Sequence, residues 1–477
     1  MSYLKSCSLF PLISLLLGGC ALFTDLGPLS QVPADLGFKK AEELSSLPFP
    51  NQQWWTAYND PQLKALIEEG LQASPTIAEA VARLKKSDAV AMVAGAPLYP
   101  TLDVEGSLQK YKQSYNEGIP SVVIPHGFRN FATLTANFNY EIDFWGKNRA
   151  QLNAALSDVV AAQLDAALAR IMVSTSVATA YAELAQLCAE LGEAEKGIKI
   201  REQTIKMFND LYTHGLANRG GLEQARADLA LAEADLVSLH ESIALKKLSL
   251  AALVGKNPAR AESIHVPNIH QLQIYSAPSS VPADLIGYRP DLMAARMRVE
   301  AEAYRIQVAR AGYYPNVNLA AYIGLQSLGL DLFFRKGSMI GAVGPAIYLP
   351  IFEGGKIEGR YRGARADYEI AIAQYESAIV QALQEVANVL VSQKAQVLEV
   401  QKMREAVAAS QQAYQVNYDR YKEGIANYIE VLNSENTLIS SRRNLARVVV
   451  RAFILDVSLI KALGGGFQPV FEKKVKP

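Results

Sequence analysis

Short stretches of the chain alternate apolar and polar residues with a period of two. They lie at 101–109, 133–140 and 316–326, and a fourth at 339–349 is interrupted by glycine and proline. A period of two predicts a β-sheet with one apolar and one polar face. A soluble sheet packed on a core would show the same alternation. Strands of about ten residues and the loop-like connection at 111–130 favour instead strands that face lipid on one side.

Two much longer stretches have apolar residues at three- and four-residue spacing. They run over 146–210 and 355–421, and neither contains proline. About 65 residues of helix would extend roughly 100 Å. Shorter helical patterns follow at 221–254 and 428–463. This sustained periodicity predicts antiparallel helical hairpins packed as coiled coils. A soluble helical bundle or filament would share this periodicity but would not explain the strands.

The two halves of the chain repeat each other at an offset of about 210 residues, which indicates a repeated architecture. The Tyr-Pro pair that opens 99–104 returns at 314–319. The turn at 211–218 likewise matches the turn at 420–427, and each contains a glycine typical of a helix C-cap. The chain is therefore expected to have an internal two-fold repeat, with strands and a long helical hairpin in each half.

Composition and charge exclude several functional classes. The formal net charge is zero, and we find no basic patch of the kind expected for a nucleic-acid partner. The five His are scattered, and the three Cys match neither a metal-binding spacing nor a disulfide framework. No catalytic constellation is recognisable. We therefore expect neither an enzyme nor a protein with a cofactor or metal site.

The N-terminus has the pattern of an export signal. Lys5 precedes an apolar run at 9–17, and residues 17–20 read Leu-Gly-Gly-Cys. These four residues resemble a bacterial lipobox, which implies cleavage before Cys20 and attachment of palmitate and other acyl chains to that residue. Ala21 then implies sorting to the outer membrane. A plain secretory signal is the alternative.

The mature sequence contains no apolar run long enough for a spanning helix, so a membrane crossing would have to use the strands. Four strands cannot close into a barrel, and an open edge in lipid would leave backbone N–H and C=O groups unpaired. Three copies would supply twelve strands, enough for a barrel with a lumen.

Several segments carry a resemblance to a known family. They appear in the following order along the chain: 140–147, 288–295, 349–355, 420–424 and 462–467. In this order they resemble the TolC-like outer-membrane efflux factors, in the lipoprotein branch that includes the OprM-like channels of RND-type efflux systems. The resemblance extends from the lipobox almost to the C-terminus.

This resemblance implies an α+β membrane protein that forms a homotrimer. A twelve-stranded outer-membrane β-barrel, with four strands from each chain, would continue into a long periplasmic α-helical barrel. A mixed equatorial domain would include the mature N-terminal stretch, the segment around 256–287 and the C-terminus. The expected partners are outer-membrane lipid, a periplasmic adaptor (membrane fusion) protein and an inner-membrane RND-type pump. The domain boundaries predicted on this basis are 1–19, 20–60, 61–265, 266–463 and 464–477.

The resemblance also implies a periplasmic gate after the second turn. Glu430 matches an acidic position of the family, and Ile429 matches a position often held by an apolar residue. Three copies of Glu430 around an axis would repel one another. Asn433 stands where the family usually has Asp, which weakens the expected negative charge. Tyr421 matches a residue of the network that latches the aperture.

The two turns are the expected contacts of the adaptor, because their near-identity suits a partner that meets six similar tips in a trimer. The residues are Gly215, Leu216, Ala217 and Asn218 in the first turn and Gly424, Ile425, Ala426 and Asn427 in the second.

The predicted function is a passive, gated conduit that carries small toxic compounds out of the cell. A channel for protein secretion and a lipid-anchored periplasmic scaffold are the alternatives. The lipobox favours efflux of small molecules over secretion.

Overall fold

Helices account for most of the residues that the computed structural model describes, which are 27–29, 52–116, 118, 120–215, 218–267 and 288–467. The helices within these ranges are α1 (Pro61–Ala73), α2 (Pro75–Gly95), α3 (Lys147–Thr213), α4 (Arg219–Leu253), α5 (Pro290–Ala311), α6 (Lys356–Lys422) and α7 (Tyr428–Ala462). The strands are β1 (Thr101–Tyr111), β2 (Arg129–Glu141), β3 (Asn316–Leu328) and β4 (Met339–Tyr348). Cys20 lies outside the described residues.

The four strands form one antiparallel sheet in the order β1-β2-β3-β4. Their register places apolar residues opposite one another, as in the pairs Leu102 with Phe138 and Phe138 with Ala321. Polar residues pair in the same way, with Asp103 opposite Asn137. The alternation expected from the sequence therefore produces a sheet with one apolar and one polar face. Within the described residues, β1 and β4 are the two edges.

Glycine and proline in the sheet occupy positions that suit them. A side chain at Gly324 would place Cβ 2.2 Å from the backbone oxygen of Leu134, so only glycine allows β3 to approach β2 there. Pro345, which lacks a backbone donor, lies in the edge strand β4 opposite Leu319. An edge is where a sheet tolerates proline, so the irregular fourth stretch is still a strand.

Residues 142–146 connect strand β2 to helix α3. β2 ends at Glu141 because Asp143 is used to begin α3. Its carboxylate accepts hydrogen bonds from the backbone N–H groups of Asn148, at 3.1 Å, and Arg149, at 3.0 Å. These are donors that the first turn of a helix leaves without helical partners. Gly146 adopts a positive φ of 73° between strand and helix.

The long helices of the two halves match in length. α3 and α6 each contain 67 residues, and α4 and α7 each contain 35. A short turn joins α3 to α4 and another joins α6 to α7. We call α3–α4 the first hairpin and α6–α7 the second hairpin. Their equal lengths are the structural counterpart of the repeat in the sequence.

The described residues form two compact units. The first comprises 27–29, Leu84–Ala161 and Ala295–Tyr375, and contains the sheet. The second comprises the described parts of Pro33–Arg83, Ala162–Ala294 and Glu376–Pro477. None of the helices in the described ranges combines the length and the apolar character needed to cross a membrane.

The core of the second unit contains both neighbouring tryptophans, Trp54 and Trp55, with rings edge to face at 5.7 Å. They are buried packing residues. Two buried carboxylates in this unit accept hydrogen bonds from tyrosine hydroxyls. Tyr181 donates to Asp60 at 2.7 Å, and Tyr58 donates to Asp456.

Candidate functional site

The described residues of the two hairpin turns share two features. Gly215 and Gly424 end the long helices with φ values of 73° and 74°, a conformation that favours glycine. Asn218 then begins α4 by accepting from the N–H of Gly221 at 2.8 Å. Asn427 begins α7 in the same manner, accepting from Ile429 at 3.2 Å.

Most of the residues expected to contact an adaptor lie on these turns and are exposed. Gly215, Asn218, Gly424 and Asn427 are exposed, and Ala426 is half-buried. Ile425 presents 65% of its surface to solvent although it is apolar. Leu216 and Ala217 lie outside the described residues.

Tyr421, predicted as a latch residue, lies in a cluster of three aromatic rings that joins the two hairpins. Its ring stacks on Phe208 of α3 at 6.0 Å, and Tyr428 lies 4.0 Å from Phe208 with its ring edge to face. We call Phe208, Tyr421 and Tyr428 the tip aromatic cluster. Burial raises the pKa of Tyr421 above its ordinary value. Its phenol therefore stays protonated in any physiological medium.

The cluster is closely packed because Gly221 leaves room for it. Phe208 is 3% exposed, and a Cβ at Gly221 would lie 2.9 Å from its ring. The aromatic ring therefore fits against the backbone of α4 while it also contacts both tyrosines of the second hairpin. Such edge-to-face and stacked pairs stabilise by about 0.5–1.5 kcal/mol each beyond their burial.

Glu430, the predicted acidic gate residue, is half-exposed on the first turn of α7. One of its carboxylate oxygens lies 3.8 Å from a terminal guanidinium nitrogen of Arg420, at the end of α6. The acid at a helix N-terminus and the base at a helix C-terminus both complement the helix dipoles. The sequence reasoning overlooked this pairing across the turn, although Arg420 is part of the motif it used.

Ile429 and Asn433, the other predicted gate residues, are exposed on α7 with Glu430. Ile429 has 59% of its surface exposed. The carbonyl of Asn433 accepts from the Thr437 hydroxyl at 2.8 Å, and its side chain faces solvent. The structure thus brings the three residues together on one exposed side of α7. A second acidic residue, Glu435, is on the opposite, buried side.

Sequence reasoning missed Glu435, which is fully buried and pairs with Arg201 of α3 at 3.6 Å. A signal for it does exist. Tyr428, Val431, Glu435 and Leu438 follow the three- and four-residue spacing of the apolar side of α7. A carboxylate in a position where the helix pattern calls for an apolar residue indicates a buried charge with a function or a partner.

The described part of the tips offers no arrangement for covalent chemistry. It has exposed apolar and charged groups at the ends of the two hairpins, and aromatic and ionic contacts between the hairpins.

The chain belongs to the outer membrane efflux protein family, whose family model matches residues 66–256 and 281–465. It is therefore an outer-membrane efflux channel and not an enzyme. The crystal structure of the outer membrane protein VceC from Vibrio cholerae is similar, with 43% sequence identity and a TM-score of 0.82. That similarity covers 88% of this chain and 100% of the VceC chain.

Curated relatives agree over nearly the whole length. The multidrug resistance outer membrane protein MdtP of Escherichia coli strain K12 is 28% identical, over 99% of each chain. The pyoverdine export outer membrane protein OpmQ of Pseudomonas putida strain KT2440 is 27% identical, over 96% of this chain and 97% of its own. The family and the fold class expected from the sequence are thus confirmed.

Proposed function

We propose that the chain assembles as a homotrimer into a passive, gated conduit of a tripartite efflux system. Small toxic compounds would enter from a periplasmic adaptor and an inner-membrane RND-type pump and leave at the cell surface. The observation that carries this proposal is the sheet, which is incomplete on its own. The pump would supply the energy, and this chain a sealed path with a gate.

The sheet has an apolar face that nothing in the chain covers among the described residues. On that face Leu102 and Val104 are each 72% exposed, and Val343 is 77% exposed. Lipid would cover such a face, whereas water would not. The edges β1 and β4 also need hydrogen-bonding partners in lipid. Pairing β1 of one copy with β4 of the next would provide them and close a barrel of twelve strands.

Relatives differ in what their names say they carry: MdtP is named for multidrug resistance and OpmQ for pyoverdine export. A common conduit attached to different pumps accounts for such differences. We therefore assign this chain small molecules as a class and leave the choice among them to the pump.

Acylation of Cys20 would anchor the mature chain to the inner leaflet of the outer membrane. Several acyl chains on one residue bind a membrane stably, whereas one alone binds only marginally. Labelled palmitate should enter the wild-type protein and not a Cys20→Ser variant. Equal labelling of both would remove the anchor from the proposal.

The gate would lie at the hairpin tips. Ile429, Glu430 and Asn433 share one exposed side of α7 and would line the aperture, while Tyr421 would help to hold it closed through the tip aromatic cluster. The two exposed turns, which share a glycine of positive φ and an asparagine cap, would meet the adaptor.

Conductance across a planar lipid bilayer tests the gate. Replacement of both Glu430 and Tyr421 by Ala removes the contact with Arg420 and one ring of the tip aromatic cluster. We expect the resting conductance to increase several-fold. Glu423→Ala is the matched control, since Glu423 is an exposed acid at the same turn. It should leave the resting conductance unchanged.

Two results would count against this proposal. Wild-type protein that never conducts in a bilayer would contradict the conduit itself. A double variant that conducts no more than Glu423→Ala would contradict the assignment of the gate residues.

A further inference from the structure

The most buried ion pair between the two hairpins lies beneath the tip. In Glu435, on α7, no atom is exposed, and the Arg201 side chain, on α3, is 18% exposed. The Nε of Arg201 and an oxygen of Glu435 are 3.6 Å apart, and neither completes a standard hydrogen bond. Arg201 also donates from a terminal nitrogen to Asn436 at 2.8 Å. The contact is therefore an electrostatic attraction in a dry environment rather than a well-formed bidentate pair.

All four helices of the hairpins contribute groups that act on the Glu435 carboxylate. Arg201 and Thr204 of α3 favour its charged form, and Asp228 of α4 opposes it. Tyr414 of α6 and Tyr428 of α7 are also within electrostatic range. Among these groups Arg201 is basic, Asp228 is acidic, and Thr204, Tyr414 and Tyr428 carry hydroxyl groups.

Other ion pairs between the hairpins are more exposed. Arg447 pairs with Glu190 at 3.3 Å with its own side chain 58% exposed. Arg443 pairs with Asp235 at 3.2 Å, and that carboxylate is 64% exposed. Exposed pairs of this kind contribute little, because water screens the attraction. The Arg201–Glu435 pair differs because both partners lose most of their hydration when the hairpins pack.

A buried charge pair with incomplete hydrogen bonding costs more in lost hydration than an apolar pair of the same shape. Separation of the hairpins would return both groups to water. The ionised Glu435 carboxylate has no exposed atom and no hydrogen bond to either oxygen, so its charge opposes tight closure. Arg201 keeps partial exposure and a hydrogen bond to Asn436 when the side chain at position 435 is neutral. Proton uptake by Glu435 would have the same effect as that neutral side chain.

We propose that Glu435, positioned by Arg201, controls how firmly the two hairpins close, so that the channel rests more tightly shut when Glu435 carries a proton. This inference rests on the proposed gate at the hairpin tips. It adds a positioning residue inside the helical wall to the exposed gate residues, and it makes closure sensitive to the pH of the periplasm.

The direction follows from proton linkage. Burial, opposed by Arg201 and reinforced by Asp228, raises the pKa of Glu435 from 4.5 to about 7 in the packed state. In an open state that admits water, the pKa would return toward the ordinary value. When the pH lies between these two pKa values, the closed state binds a proton at Glu435 more tightly than the open state does. Closure is therefore favoured below about pH 5. That advantage is lost as pH rises through the closed-state pKa.

The experiment is the resting conductance of reconstituted trimers as a function of pH, for wild type, Glu435→Gln and Arg201→Met. Wild-type conductance should increase from pH 5 to pH 8, with a shift of the closed–open equilibrium on the order of tens of fold per chain. Glu435→Gln, a neutral side chain of the same shape, should keep the low conductance of acidic pH throughout. Arg201→Met leaves the carboxylate without its counter-charge and should conduct more than wild type at pH 8.

Glu399→Gln is the matched control, since Glu399 pairs with Arg451 within the second hairpin at 3.0 Å. It should keep the wild-type pH profile. A Glu435→Gln trimer with the wild-type profile would overturn the inference while leaving the conduit intact, because the channel would still conduct. If that variant does not assemble, equal conductance of Arg201→Met and wild type at pH 8 would overturn the inference equally. Failure of the wild-type protein to conduct would instead overturn the proposed function.

Discussion

Asp60 provides a direct test of how the second unit is held together. One oxygen of its carboxylate accepts from the backbone N–H groups of Gln62, at 2.9 Å, and Leu63, at 3.0 Å, and so caps the N-terminus of α1. The other oxygen accepts from the Tyr181 hydroxyl at 2.7 Å. Asp60 is 8% exposed and Tyr181 is 1% exposed. One side chain therefore joins α1 to the long helix α3.

The cost of Asp60→Ala follows from these contacts. Loss of a helix N-cap destabilises by about 1 kcal/mol. The Tyr181 hydroxyl would then be buried without an acceptor, at a further cost of about 1–3 kcal/mol. We expect a total of roughly 2–4 kcal/mol. Asp60→Asn should cost less, because its amide oxygen can still cap the helix. Some cost remains, since the amide nitrogen cannot accept a hydrogen bond from the Tyr181 hydroxyl.

The assay is thermal unfolding of the detergent-solubilised protein, followed by circular dichroism at one scan rate because unfolding of such proteins is commonly irreversible. The unfolding temperatures should fall in the order wild type, Asp60→Asn, Asp60→Ala. Asp88→Ala, on the exposed surface of α2, serves as the control and should stay near wild type. If Asp60→Ala unfolds no earlier than Asp88→Ala, the reasoning about the cap and the buried hydroxyl is refuted.

Two further substitutions test close packing. Gly324→Ala would force a Cβ against the Leu134 backbone oxygen. We therefore expect a heat-modifiability assay to show a strongly reduced yield of membrane-inserted trimer. The control Gly337→Ala should insert normally, because nothing lies within 4 Å of a Cβ at that position. Phe208→Ala would leave a cavity in the tip aromatic cluster and cost about 3–5 kcal/mol of stability, which should appear as a lower unfolding temperature. The control Leu231→Ala, on α4, should have little effect because Leu231 is 68% exposed. Equal decreases in unfolding temperature for the two variants would contradict the packing argument.

Much of the fold was predictable because its elements have strong periodic signals. Alternation in the strands and the three- and four-residue spacing in the helices are local properties, and they identified four strands and two hairpins. The role of Asp143 at the start of α3 was not predictable in this way. Asp143 looks like one more strand residue until the backbone donors of Asn148 and Arg149 come within its reach.

The site was predictable only in part, for a related reason. Motif positions placed Glu430 and Tyr421 at the tip, where the structure has them. Their roles at the gate stay predictions. The contacts that join the hairpins, such as Phe208 with Tyr421 and Arg201 with Glu435, connect residues more than 200 positions apart, and no local pattern reveals which of them meet.

The matched lengths of the hairpins limit how this protein can gain or lose residues. An insertion of two helical turns into α3 alone would carry Phe208 past Tyr421 and Tyr428 and put the two turns at different heights. The same insertion into both α3 and α6 would keep them level. We therefore expect the length of the hairpins to change only by paired insertions, one in each half of the chain.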